Sequence, residues 1–145
     1  MQMISVSMIR CLDALEALGI KYDSCGEIKT YSFRYFGVKM SLNGSEEEGG
    51  IIIYAKFDFN SMIPDFLMKC LEEIVCKEYS GYTVRSVSPA TGVVAKEWLI
   101  DWEEKLTQDD MKDMLDETVK AWHTIAFNLH MAREREADEY MDFDE

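Results

Sequence analysis

The hydrophobic rhythm of the chain changes several times, and each change marks an element. Ile4, Met8, Cys11, Leu12, Leu15 and Leu18 recur at helical spacing and make one apolar stripe, so the reading begins with a helix over about Ile4 to Leu18. Gly19 follows it as a C′ residue able to take positive φ. Ile20-Lys21-Tyr22 then leads into a turn around Ser24-Cys25-Gly26. From there the period drops to two. Tyr31, Phe33 and Tyr35 alternate with Ser32 and Arg34, and the alternation resumes out of phase at Val38, Met40 and Leu42, so Phe36-Gly37 reads as a tight connection. A polar loop with three glutamates separates this hairpin from the clearest strand, in which Ile51, Ile53, Ala55, Phe57 and Phe59 form an apolar face opposite Ile52, Tyr54, Lys56 and Asp58.

The 3.6-residue period then returns. Asn60-Ser61 can cap a helix whose first turn holds Pro64 and Asp65 and whose body carries Phe66, Leu67, Cys70, Leu71, Ile74 and Val75. Gly81 ends it. Two strands follow, about Tyr82–Val87 and Val93–Trp102, joined by a Pro- and Gly-containing turn. Thr107 opens the last helix, with Asp110 three positions on, and Met111, Leu115, Thr118, Trp122, Ile125 and Leu129 line one stripe. Run to about Glu136, this helix is about 45 Å long. That exceeds what one small sheet needs for cover, so part of it projects and offers a homodimer contact. Residues 1–137 therefore read as a single α+β domain, and 138–145 as an acidic, disordered tail.

The order α-βββ-α-ββ-α resembles the type III secretion chaperone-like fold, within it the bacterial YbjN-like family of proposed sensory transduction regulators. The features that carry the likeness are Leu15-Glu16-Ala17-Leu18-Gly19-Ile20-Lys21-Tyr22 running from the first helix into the first strand, and the hairpin Phe33-Arg34-Tyr35-Phe36-Gly37-Val38-Lys39-Met40. A helix opening near Pro64 and a two-strand hairpin before the long last helix complete it. The likeness spans about Ile4 to Leu129. It implies a bent, five-stranded antiparallel sheet packed by helices, often dimeric, that binds another protein. It supplies no catalytic residues.

Composition narrows the function classes. The longest apolar run, Ile51-Ile52-Ile53-Tyr54-Ala55, is far below the roughly 18 residues of a spanning helix, and the N-terminal residues do not read as a signal peptide. Four cysteines without a CxxC pair suit buried thiols in the cytoplasm. A net charge of −13 repels phosphate backbones and anionic membranes, so the expected partner is a protein or peptide of basic character rather than nucleic acid or membrane. His123 and His130 lie seven apart on the last helix without a third strong ligand at fixed spacing, which argues against a metal. No GxSxG, P-loop or GxGxxG occurs, so neither a catalytic residue nor a cofactor is read from the chain.

The aromatic residues are the better lead. Trp98 and Trp102 share one face of the last strand with Lys96 and Ile100, and Tyr54 shares a row with Lys56 and Asp58. A lysine in the same row as two tryptophans points to a surface that is not fully buried. Tyr54, Trp98 and Trp102 are thus the candidate partner contacts of a non-catalytic, chaperone- or regulator-like module that holds its partner on a sheet face. Two other classes remain: an acidic immunity or inhibitor protein that blocks a basic toxin, and a small enzyme with an unrecognised pocket.

Overall fold

The computed structural model describes residues 6–24, 30–44, 49–58, 64–88, 90–100 and 106–142, with side chains as far as 131. The elements are α1 (Val6–Ala17), β1 (Tyr22–Ser24), β2 (Thr30–Tyr35), β3 (Val38–Gly44), β4 (Gly50–Asp58), α2 (Asp65–Glu78), β5 (Tyr82–Ser88), β6 (Thr91–Leu99) and α3 (Gln108–Asp142). The strands form one antiparallel sheet in the order β1-β2-β3-β4-β6-β5. Six strands stand where the sequence reading placed five. The additional one is β1, three residues that pair with β2 through Tyr22↔Phe33 and Ser24↔Tyr31. A segment that short shows no alternation of its own, and only its neighbour makes it a strand.

Local chemistry accounts for most of the boundaries. α1 ends in a Schellman motif: Gly19 takes φ +77°, its N–H donates to the Glu16 carbonyl at 2.9 Å, and the Ile20 N–H donates to the Leu15 carbonyl at 3.0 Å. The β2–β3 hairpin closes through two residues at positive φ, Phe36 (49°) and Gly37 (78°), as in a type I′ turn. At the start of α3, the Asp110 N–H donates to Thr107 Oγ1 at 3.1 Å while the Thr107 N–H donates to Asp110 Oδ2 at 3.4 Å, a reciprocal cap. α3 is 35 residues, about 52 Å, and continues past the boundary at 137 read from the sequence. The expected Asn60-Ser61 cap lies outside the described residues; Pro64 stands at the N-cap position of α2 and makes no side-chain cap bond.

The helices pack on one face of the sheet. Paired residues of an antiparallel ladder point the same way, and one face carries Phe33, Met40, Leu42, Ile53, Ala55 and Phe57, all buried. Met111, Leu115, Thr118, Ala121, Ile125 and Leu129 of α3 close over it together with Leu15 of α1 and Leu71 of α2. Polar bonds fix α3 across four strands. Tyr35 on β2 donates to Asp116 at 2.5 Å, and Trp122 Nε1 donates to the Lys56 carbonyl of β4 at 2.7 Å. Tyr82 on β5 meets Thr118 at 3.3 Å, and Lys96 on β6 pairs with Glu117 at 2.9 Å. The Val84 N–H of edge strand β5 donates to Glu72 of α2 at 2.9 Å, so a helix carboxylate covers part of that edge. No helix among the described residues is long and apolar enough to cross a membrane.

Candidate functional site

Among the described residues the helices lie on one side of the sheet and none covers the other, whose register sorts side chains into rows. A mostly uncharged row runs Asp23, Ser32, Ser41, Tyr54, Ala95, Thr83 from β1 to β5, with Asp23 its one charged member. Two residues along each strand is the next row of the same face. Arg34 of β2 pairs with Lys39 of β3, and Lys56 of β4 and Arg85 of β5 both pair with Val93 of β6. One step beyond Met40↔Ala55, the β3–β4 register sets Lys39 beside Lys56; one step beyond Tyr22↔Phe33, the β1–β2 register sets Lys21 beside Arg34. The row is therefore Lys21, Arg34, Lys39, Lys56, Val93, Arg85. Five positions out of six carry a permanent or near-permanent positive charge.

Such a row costs stability. Side chains directly opposite on an antiparallel pair lie about 5 Å apart, and like charges there repel. Solvent exposure of Arg34, Lys39, Lys56 and Arg85 keeps that cost small. The row lies along a broad open groove of about 1330 Å³ in which Asp23 is the one carboxylate among the described lining residues. Arg85 also leans over Tyr54: its Nη2 donates to the Tyr54 hydroxyl at 3.4 Å, and the guanidinium carbon stands 5.7 Å from the ring centre. On the far side of Tyr54, the Asn43 Oδ1 is buried without a hydrogen-bond partner among the described residues.

Most of the described acids lie elsewhere; Asp23, Asp58 and Glu97 are the ones on this face. α2 carries Asp65, Glu72, Glu73 and Glu78, and the first turns of α3 carry Asp109, Asp110, Asp113, Asp116 and Glu117. The net charge of −13 thus conceals an uneven distribution: the helices are rich in carboxylates, while the described open face sets Lys21, Arg34, Lys39, Lys56 and Arg85 against Asp23, Asp58 and Glu97.

The three aromatic candidates are not brought together. Tyr54 is on the open face, half-buried among the polar residues. Trp98 is on the other side: it pairs with Ile51, faces the helices and packs at the edge of the core. Lys96, whose charge pointed to an exposed row, is instead accommodated beneath α3. Its Nζ sits 4.1 Å from the Trp98 ring centre and 5.4 Å from that of Tyr82, and its charge is paired with Glu117. An ion pair and two ring faces let a lysine occupy a helix-covered row, which the sequence alone does not reveal. Trp102 lies outside the described residues.

The five groove cations escape sequence inspection because they stand 13, 5, 17 and 29 positions apart along the chain. Four occupy the solvent phase of their own strands, a phase that is legible, and Lys21 immediately precedes β1; their alignment into one row depends on register. Of the thiols, Cys11 is buried in α1 and burial pushes it up to about 12, while Cys76 donates to the Tyr82 carbonyl at 3.2 Å. Burial, followed by the hydrogen bond to Asp116, holds Tyr35 well above its usual value. His123 is exposed and edge-on to Trp122 at 5.1 Å. Among the described residues no three His, Cys, Asp or Glu side chains converge as metal ligands would.

The architecture is that of a YbjN-like α+β domain. The solved structure of YbjN from E. coli, a protein described as a proposed transcription regulator, superposes with a TM-score of 0.59 over 88% of this chain and 94% of that one, at 13% identity. That degree of likeness establishes the fold. No family model matches the chain, and no curated protein matches it.

Proposed function

We propose that this domain is a non-catalytic, cytoplasmic binding module that holds a peptide segment of a partner protein on the open face of its sheet. The observation that carries the reading is the placement of the described helices on the opposite face, which leaves a wide, shallow groove floored by strands. Tyr54 supplies the aromatic contact at its centre, and Ser32, Ser41 and Thr83 supply hydroxyls. No histidine or cysteine is among the described lining residues, and Asp23 is the one carboxylate among them. The regulator-like description of the structural neighbour agrees with this reading.

A photo-crosslinking residue placed at Ser41 or Thr83 tests it. The partner is expected to crosslink from those positions and not from Lys112 on the exposed side of α3. Crosslinking from α3 alone would refute the sheet-face reading. It would favour instead the second reading, an inhibitor or immunity protein that meets a basic toxin with its acidic helical side, which rests on the carboxylates of α2 and α3.

A further inference from the structure

We infer that the segment held on the open face is acidic: an extended peptide of a partner protein whose carboxylates lie along Lys21, Arg34, Lys39, Lys56 and Arg85. The inference rests on the sheet-face reading above and adds the chemistry of the partner. Charge complementarity carries it. A chain with 28 acidic and 15 basic residues has placed five of its cations in one groove with a single described carboxylate, and has set two of them, Arg34 and Lys39, directly opposite each other. Among the described residues none of these five cations forms a salt bridge, with only Asp23 and Asp58 near the row on this face, so the five keep a net positive field that an anionic ligand relieves. The basic partner suggested by the net charge would meet repulsion here.

Size and shape select a peptide. With strands about 4.8 Å apart, the row extends roughly 24 Å, the span of about seven residues of extended chain. Beside it runs the row of Asp23, Ser32, Ser41 and Tyr54, so past Asp23 at one end the other edge of the ligand meets hydroxyls and a ring. A nucleic acid strand continues past the groove into the field of the acidic helices, where its phosphates are repelled; a short acidic segment ends before it.

The test measures fluorescence anisotropy of the full-length protein with four labelled probes: the octapeptide Asp-Glu-Asp-Tyr-Glu-Asp-Glu-Asp, its counterpart with Lys for every acid, a Ser/Gln counterpart, and an eight-nucleotide oligothymidylate. The acidic peptide is expected to bind best, to weaken roughly 10-fold between 50 and 500 mM salt, and to weaken by about the same factor in a Lys39→Glu/Lys56→Glu double variant. Lys112→Glu, outside the groove, is expected to change binding less than about 2-fold. Lys39→Gln/Lys56→Gln, with thermal unfolding recorded for each variant, separates lost charge from lost folding. Tighter binding of the oligonucleotide would overturn the inference in favour of nucleic acid. A concentration-dependent dimer that dissolves on Asp142→Asn/Asp144→Asn/Glu145→Gln would overturn it in favour of the acidic C-terminal segment of a second copy. Preference for the neutral or basic peptide, crosslinking from Ser41, would overturn the charge argument and leave the sheet-face reading standing. If no probe binds and no partner crosslinks from Ser41 or Thr83, both fail.

Discussion

Gly92 of β6 lies directly beneath a phenylalanine ring, and replacing it with alanine probes how tightly the sheet and the helical layer fit. Gly92 pairs with Phe57 of β4 on the helix-packed face. A methyl group added there falls 2.4 Å from Phe57 Cζ, 2.5 Å from Cε2 and 3.0 Å from Met68 Cε of α2. Ordinary carbon contacts are 3.5–4.0 Å, so the ring has to withdraw by about 1 Å. Phe57 and Met68 are 3% and 5% exposed, which leaves no free volume to receive it. Forced insertion of this kind costs about 1–3 kcal/mol. The backbone of Gly92 does not take positive φ, so alanine also narrows the unfolded ensemble and returns about 0.4–1 kcal/mol. The net expectation for Gly92→Ala is a loss of about 1–2 kcal/mol. Urea unfolding followed by circular dichroism measures it, and an unchanged m-value would show that the loss is in native stability. Phe57→Leu shortens the obstructing ring, so the double variant is expected to lose less than the sum of the two single losses. A Gly92→Ala protein as stable as the parent, or strictly additive losses, would refute the packing argument.

Other expectations follow from the same geometry. Phe36 is 79% exposed and sits at φ 49°, a conformation that favours Asn or Gly, so Phe36→Asn is expected to raise stability by about 0.5–1 kcal/mol in a denaturant titration; a loss would mean the ring is held by contacts beyond Tyr35. Cys11 ionises near 9 when unfolded and about 12 when folded, so the fold favours the neutral thiol. Its contribution is complete below pH 9 and is lost as pH rises from 9 toward 12, amounting to about 2 kcal/mol by pH 10.5; Cys11→Ala is expected to flatten that part of the pH profile between 8 and 10.5. Thr107→Ala removes half of the reciprocal cap of α3 and is expected to lower the unfolding free energy by about 1 kcal/mol, with Thr107→Ser retaining most of it. Lys96→Met keeps the stem against Trp98 and frees a Glu117 that is 31% exposed and can rehydrate, so the change is expected to stay within about 1 kcal/mol.

Particular residues show why some of this was readable and some was not. The end of α1 at Gly19, the Phe36-Gly37 turn and the Thr107/Asp110 cap each depend on chain neighbours, and the structure has all three where the sequence points. β1 went unread because three residues carry no period. A lysine two positions from Trp98 implies solvent and so points that strand row to an uncovered face. That inference fails where Glu117, 21 residues further on, supplies the counter-charge. No local spacing joins Lys21, Arg34, Lys39, Lys56 and Arg85, so the sequence does not group them.

From its sequence alone this chain determined its helices, the phase of each long strand, and therefore which side chains could face water, because propensity, capping and amphipathic period act over a few residues. Tertiary structure decided which of the sheet's two faces the helices cover, how the strands align, and hence that Lys21 and the cations of four strands stand in one row while most carboxylates lie on the helices behind them. Those outcomes depend on pairings between residues far apart in the chain, where a one-residue shift in register would send each side chain to the opposite face.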